Sequence, residues 1–418
     1  MTGRSVIVLV ALTLGVAARG AEAIAIRAAR MLDVKSGTLS SDAVVIVEGE
    51  RITAAGSGLA IPKGARVIDL KDVTLLPGLI DCHTHLMSSS AGDYGTMLLT
   101  KSQAYRALEG AANARRTLMA GFTAVRDVEN EGSEYADVAL RRAIQRGLVE
   151  GPRMKVATRA IAAVGQYQPF GVSPDLPGFP RGAQMVSGVE EARRAVREQL
   201  GNGADLIKVY ADWMYPTLTP DELRVIVEET HKAGKRVAAH ASTPEGIRNA
   251  VDAGVDSIEH GDDADRETLE RMKQKGLWLV PTLATYREHA AKAENAEERE
   301  FFESRVAVKE KTLRAAREIG VHVATGYDAA EEGVHGKNAH EIVALTSAGF
   351  TNLDAIRAAT LTGAELLGWE DRIGSLEAGK LADVIAVKGN PLADIHQLEQ
   401  VVFVMKGGVV VKDERSSR

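Results

Sequence analysis

The strict alternation of strand and helix through the middle of the chain constrains the fold more than any other feature. Strand patterns end at residues 81–85, 123–128, 154–158, 206–210, 237–240, 257–260, 278–282 and 321–325. Helical patterns occupy 103–119, 136–146, 189–200, 220–233, 244–253, 264–275, 296–319 and 340–347, with apolar residues recurring at helical spacing. Eight strand–helix units in series predict an α/β chain built as a (β/α)8 TIM barrel. An open doubly wound sheet is the rival, but no G-x-G-x-x-G follows an early strand. Long inserts at 165–186 and 283–300 follow the third and seventh strands, on the face where barrels carry their chemistry.

The flanks read differently. Residues 24 to about 75 contain short alternating segments broken by glycine, and LADVIAVKG and VVFVMKGGVVV near the other end do the same. One small β-sandwich assembled from 24–76 and 370–418 is expected, with the barrel spanning 77–369. The first residues pair a positive charge at Arg4 with an apolar run over 5–16 and an Ala21-Glu22-Ala23 exit. These are the parts of a cleavable signal peptide, residues 1–23, so a secreted or periplasmic protein cut after Ala23 is expected. The apolar run falls short of the roughly 20 residues a membrane span needs, and no later run is a candidate, so no membrane contact is expected after cleavage. The 51 basic and 57 acidic residues leave a net charge of −6, which provides no basic face for nucleic acid. A single cysteine, Cys82, excludes an internal disulfide framework and a cysteine-rich zinc site; alternation turns it away from its neighbours, so packing is expected of it.

Those neighbours are the ones that carry chemistry. His83 and His85 form an H-x-H at the end of the first barrel strand, and alternate strand residues share a face. His240 and His260 end the fifth and sixth strands, and Asp328 follows the eighth. A lone histidine at any of these places reads as a satisfied core residue; four imidazoles and a carboxylate at equivalent strand ends read as a site for Zn²⁺ or a similar first-row metal. Among the ten histidines, His231, His322 and His396 carry no expected role. His289, His335 and His340 lie near the expected mouth and are candidates for substrate contact. Lys208 interrupts the apolar strand Leu-Ile-Lys-Val-Tyr. Burial lowers a lysine pKa, and a neutral amine can add CO₂ to become a carbamate that bridges two cations; an ammonium meeting acidic neighbours is the alternative. Tyr210 shares the face of Lys208 and is expected either to hydrogen-bond a substrate carboxylate or tetrahedral oxygen, or to be core. Ser88 either lines the mouth or caps a loop.

The order H-x-H, Lys, His, His, Asp resembles the amidohydrolase superfamily. LPGLIDCHTHL and IGSLEAGKLADVIAVKGNPL resemble its members with a split β-sandwich. AGFTAVRDV, DLIKVYAD and AAHASTPEGIRNAVDAGVDSIEHG resemble the imidazolonepropionase-like branch, which includes metal-dependent Xaa-Pro and Xaa-Arg dipeptidases and ochratoxin-hydrolysing amidases. The resemblance implies two divalent metals, Zn²⁺ first among them. His83, His85 and Asp328 would hold one, His240 and His260 the other, and a carbamylated Lys208 would bridge them. It implies hydroxide attack on the amide joined to a C-terminal amino acid, in a dipeptide or N-acyl amino acid, with ochratoxin-type amides included. Asp328 would move the proton to the leaving amine. Assembly into a homo-oligomer is also implied.

Two departures stand out. Tyr327 occupies a place usually held by Thr or Ser, which predicts a reshaped pocket, and Gly165-Gln166-Tyr167 stands where many dipeptidase relatives have Gly-Gly-His. A cyclic-amide hydrolase of the imidazolonepropionase type is the alternative function. A deaminase fits less well, because Thr243 replaces the expected Glu and Lys208 is present. A non-catalytic scaffold would be expected to lack ligands, and none is missing.

Overall fold

The computed structural model describes residues 22–90, 93–167, 173, 175–176, 178–213 and 215–414. The expected leader, 1–23, lies outside the described residues except for its last two. Five strands open the chain: β1 (Ile24–Asp33), β2 (Thr38–Glu48), β3 (Arg51–Ser57), β4 (Arg66–Asp69) and β5 (Val73–Pro77). Ten follow, separated mostly by helices: β6 (Leu79–Thr84), β7 (Phe122–Asp127), β8 (Arg153–Val156), β9 (Ile161–Ala163), β10 (Gln184–Val186), β11 (Leu206–Tyr210), β12 (Arg236–Ala241), β13 (Ser257–His260), β14 (Trp278–Val280) and β15 (His322–Val323). The last three are β16 (Val384–Lys388), β17 (Val401–Lys406) and β18 (Val409–Asp413).

Strands from the two ends of the sequence form one eight-stranded sheet, ordered β18-β17-β16-β5-β1-β2-β3 with β4 beside β1. The antiparallel pairing of β5 with β16, Leu75 opposite Ala386, joins the halves. Ile26, Val45, Leu75, Val384 and Phe403 pack in one core, while Leu76, Ile385 and Val404, on the opposite faces of the same sheet, pack in a second, so its middle strands are buried on both sides.

The middle strands form a three-stranded sheet, β6-β7-β8, and a seven-stranded sheet, β10-β9-β11-β12-β13-β14-β15. Their pairings are parallel, so the chain is α/β with parallel sheets. Every residue of β6, β7 and β11 is buried, the condition that parallel strands covered on both faces require. Backbone bonds link the two sheets at both ends. Cys82 N–H donates to Thr325 O at 2.8 Å, Asp328 N–H to His83 O at 2.9 Å and Asp205 N–H to Val156 O at 2.8 Å.

The helix Pro220–Lys232 shows how the sequence sets the covering layer. Thr219 and Glu222 form a capping box, Pro220 stands where no helical N–H is needed, and Leu223, Ile226 and Val227 are buried. Loss of the Thr219 cap would cost about 1 kcal/mol. Gly234, at φ +66°, lets the chain leave the helix.

Several boundaries differ from those expected. The insert 165–186 ends in a strand, β10, paired with the unforeseen β9, and 283–300 contains the helix Leu283–Lys292. The strand expected at 278–282 stops at Val280, because Thr282 turns left-handed at φ +50°. The one expected at 321–325 shrinks to two residues, His322 among them, since Thr325 N–H bonds Ala358 O and its carbonyl serves Cys82. The expected domain boundary between residues 76 and 77 falls inside β5.

Candidate active site and metal centre

The ends of the parallel strands bring four imidazoles together. Ring centroids lie 5.1 Å apart for His83 and His85, 5.1 Å for His83 and His260, and 4.5 Å for His240 and His260. Asp328 joins them: its Oδ1 is 3.1 Å from His85 Nε2 and 3.5 Å from His83 Nε2, and its Oδ2 is 4.0 Å from His260 Nδ1. One donor atom from each of His83, His85 and Asp328 falls within 4.8 Å of the others. These residues, Lys208 and His240 line a cavity of 280 Å³.

Second partners fix the rings. His83 Nδ1 sits 2.8 Å from Glu259 Oε2. His85 Nδ1 is 3.2 Å from Glu129 O and 3.1 Å from Glu131 Oε1. His260 Nδ1 is 2.8 Å from Thr282 Oγ1. An imidazole that gives its Nδ1 proton to such a partner keeps the Nε2 lone pair for a metal. Glu259 is held in turn by Arg126, whose Nη2 donates at 2.7 Å, and by Ser257 Oγ at 2.5 Å. His260 and Asp328 themselves adopt positive φ, 69° and 61°, in the sparsely populated left-handed region. Gly326 permits the close approach of its strand: a Cβ there would lie 2.4 Å from Val280 Cγ1 and 2.5 Å from His83 Cβ.

Burial and charge set the protonation of the cluster. Burial, helped by the Lys208 charge, pushes His83 down to about 4 and His240 down to about 3. His260 also falls well below its ordinary value, through burial and its histidine neighbours. Burial opposes charge on His85 as well, but its Asp328 hydrogen bond and the Glu131 carboxylate lift it to about 10. Burial would raise Asp328; His83 and the His85 hydrogen bond outweigh it and hold the carboxyl below its usual range. Lys208, 1% exposed, is pushed down by burial against the pull of Glu259, Glu129 and Asp328.

The other candidates sort clearly. Tyr210 lines the cavity, but its hydroxyl donates to Glu129 Oε2 at 2.5 Å. Tyr167 stacks on it at 4.3 Å and donates to Glu131, so tyrosine builds the wall at the Gly-Gln-Tyr departure. Tyr327 points its hydroxyl to Glu288 Oε1 instead, outside the cavity. Ser88 is a loop-holding serine, donating to Ala330 O at 2.7 Å. Of the three histidines near the mouth, His289 lines the cavity, His335 bonds Ser88 O and His340 bonds Glu288. Cys82 packs with Ala124, Val280 and Ala324. His231 bonds Asp256, and His396 faces Glu399.

Sequence reasoning missed Arg126, Glu259, Glu129, Glu131 and Asp81. Asp81 accepts from His83 N–H, Tyr327 N–H and Asn338 Nδ2, tying the first strand end to the last. The available signal was charge inside apolar strand runs, as in Ala-Val-Arg-Asp-Val and Ser-Ile-Glu-His, the same signal that exposed Lys208.

The donor set fits divalent first-row metals: four imidazoles, three of them backed at Nδ1, and a carboxylate kept ionised. A model of the amidohydrolase family matches residues 74–411. Ochratoxinase from Aspergillus niger is 32% identical over 410 residues, covering 89% of this chain and 83% of that protein. A solved Xaa-Pro dipeptidase with methionine bound in its active site is 34% identical, with a TM-score of 0.86 over 94% of this chain and all of the other. A prolidase solved with N-methylphosphonate-L-proline is 31% identical, with a TM-score of 0.84 over the same shares. The chain belongs to the amidohydrolase family and is a hydrolase of amide bonds.

Proposed function

We propose that this protein is a binuclear metal-dependent hydrolase that releases a C-terminal amino acid from a dipeptide or N-acyl amino acid, ochratoxin-type amides included. The convergence of His83, His85, His240, His260, Lys208 and Asp328 on one cavity carries the reading. The likeness to a Xaa-Pro dipeptidase and to ochratoxinase supports the amino acid on the leaving side. His83, His85 and Asp328 would hold one metal, His240 and His260 the other, and carbamylated Lys208 both, with Zn²⁺ the ion that suits imidazole and carboxylate.

Divalent cations, when bound, would supply an acidified water and a Lewis acid for the amide carbonyl. The remaining work belongs to the chain. Burial favours the neutral amine of Lys208, the form that adds CO₂. Asp328 is ionised and its side chain is 22% exposed, so it can take a proton from the attacking water and pass it to the amine nitrogen, which leaves poorly without one. Tyr210 holds its proton on Glu129; a substrate oxygen that takes that hydroxyl must displace the carboxylate. Tyr167 and Tyr210 stack in the cavity lining, which also includes Tyr286, His289 and Phe302.

The same reading includes closure of the two parallel sheets into one (β/α)8 barrel spanning 77–369, beside a β-sandwich from 24–76 and 370–418. The bonds joining β6 to residues 325–328 support it. Export with cleavage after Ala23 rests on the leader sequence, and a homo-oligomer on the family resemblance.

The test is removal and return of metal. Protein stripped with a chelator should lose hydrolysis of a dipeptide panel and regain it with Zn²⁺ and bicarbonate. Full activity of a protein shown by elemental analysis to be metal-free sinks the proposal.

A further inference from the structure

The turn after β14 is strained and is held from two sides. Thr282 stands at φ +50°, ψ +44°, a conformation a β-branched residue rarely adopts, at a cost on the order of 1–3 kcal/mol. Such strain persists only where the surroundings over-determine it. Ahead of Thr282, the buried Lys309 donates to Pro281 O at 2.6 Å and approaches Thr282 Oγ1 at 3.4 Å. Behind it, the buried Glu341 accepts Leu283 N–H at 3.0 Å and Ala284 N–H at 2.7 Å, the first free donors of the helix Leu283–Lys292. Lys309 is itself fixed by Asp262, with Nζ 2.8 Å from Oδ1, and Asp262 also takes Arg305 Nη2 at 2.6 Å. The product of all this order is one contact, Thr282 Oγ1 at 2.8 Å from His260 Nδ1.

We infer that Lys309 and Glu341 are positioning residues: they clamp the 281–284 turn so that the Thr282 hydroxyl orients His260 and presents its Nε2 to the metal centre. The inference rests on the binuclear reading above. Lys309 and Glu341 stand behind the cavity wall, and only Thr282 lines it. Lys309 lies on the helix Ala296–Ile319 and Glu341 on the helix Ala339–Ser347, so two separate helices converge on one turn, 281–284. A purely structural need would be met without a strained threonine; glycine takes this backbone freely but carries no hydroxyl.

The test is competition of the whole protein against a zinc chelator, read for each of the two Zn²⁺ equivalents. The absorption spectrum of Co²⁺-substituted protein serves as a second readout, and circular dichroism checks folding. Thr282→Val should weaken the second equivalent 10–100-fold, the range typical of a lost outer partner, and leave the first unchanged. Thr282→Ser, which keeps the hydroxyl, should bind both nearly as wild type does. Lys309→Met should weaken the second equivalent in the same way, and the double variant with Thr282→Val should add little, because both act through one contact. If Lys309→Met fails to fold, Glu341→Gln reads the clamp from the other side, since its amide cannot accept both N–H groups in the same way.

Wild-type affinity for both equivalents in Thr282→Val and the clamp variants overturns this inference and leaves the functional reading standing. Equal weakening of both equivalents overturns it too, by showing a general structural effect. A wild-type protein that takes up no zinc overturns both.

Discussion

The centre depends on what each side chain can do with its second atom. Three imidazoles spend Nδ1 on Glu259, on Glu129 O with Glu131, and on Thr282, and Asp328 is held ionised between His83 and His85. Lys208→Ala should therefore remove the bridge. Elemental analysis should show fewer metals per chain, and turnover should fall by more than the roughly 10–100-fold that loss of an outer partner costs. Unchanged metal content and turnover would show that Lys208 is only a buried cation. Asp328→Asn keeps the shape and loses the proton acceptor, so kcat should drop by about 10²–10⁴-fold with KM little changed. A kcat near wild type would remove Asp328 from proton transfer. These residues were legible in sequence because the pleat repeats every second residue and the strand ends are marked by histidine. Arg126 and Glu259, 133 residues apart, were not, because a buried ion pair has no local spacing to betray it.

At the scale of elements, the site exists because the last strand segment lies against the first. Gly326 makes that approach possible, and a methyl there would strike Val280 and His83 together. Gly326→Ala should cost about 1–3 kcal/mol, as overpacking does, and should lower activity by displacing His83. Thermal melts and kinetics on the same preparation check both, and an unchanged melt with unchanged kcat would mean the segment has slack. The alternating pattern predicted the longer strands and helices of the middle of the chain. The short strands β9 and β10 and the truncated β14 and β15 escaped, because their ends are decided by distant partners. Thr325 turns its bonds to Ala358 and Cys82, and Thr282 takes a backbone angle that serves His260. The places where local propensity fails are the places beside the site.

Over the whole molecule, the eight-stranded sheet is tied to the parallel sheets by part-buried polar contacts. Arg153 pairs with Asp383 at 3.0 Å, and Lys406 of β17 donates to Gly151 O. Burial and the Arg153 charge push Lys406 from 10.5 down to about 8. The unfolded chain keeps that proton to about pH 10.5, while the folded chain releases it near pH 8. The handicap of burying the ammonium is thus present below pH 8 and fades as the pH rises toward 10.5. It amounts to about 3 kcal/mol at most, less where solvent reaches the amine. Denaturant unfolding of wild type and Lys406→Met should show wild type gaining stability relative to the variant between about pH 7.5 and pH 10. A constant difference would mean that Lys406 stays charged in the folded protein. The sequence pattern foretold that both chain ends would share a β unit. It could not foretell which charged groups would be buried beneath it, since that depends on the facing surface.

The central claim is that the cluster cuts amides before a C-terminal amino acid. Its most direct test is release of free amino acid from a panel of dipeptides and N-acyl amino acids by zinc-loaded protein, followed by mass spectrometry. The account predicts release from at least one class, abolished by Asp328→Asn. Two zinc ions per chain with no amino acid released from any member of the panel would contradict it.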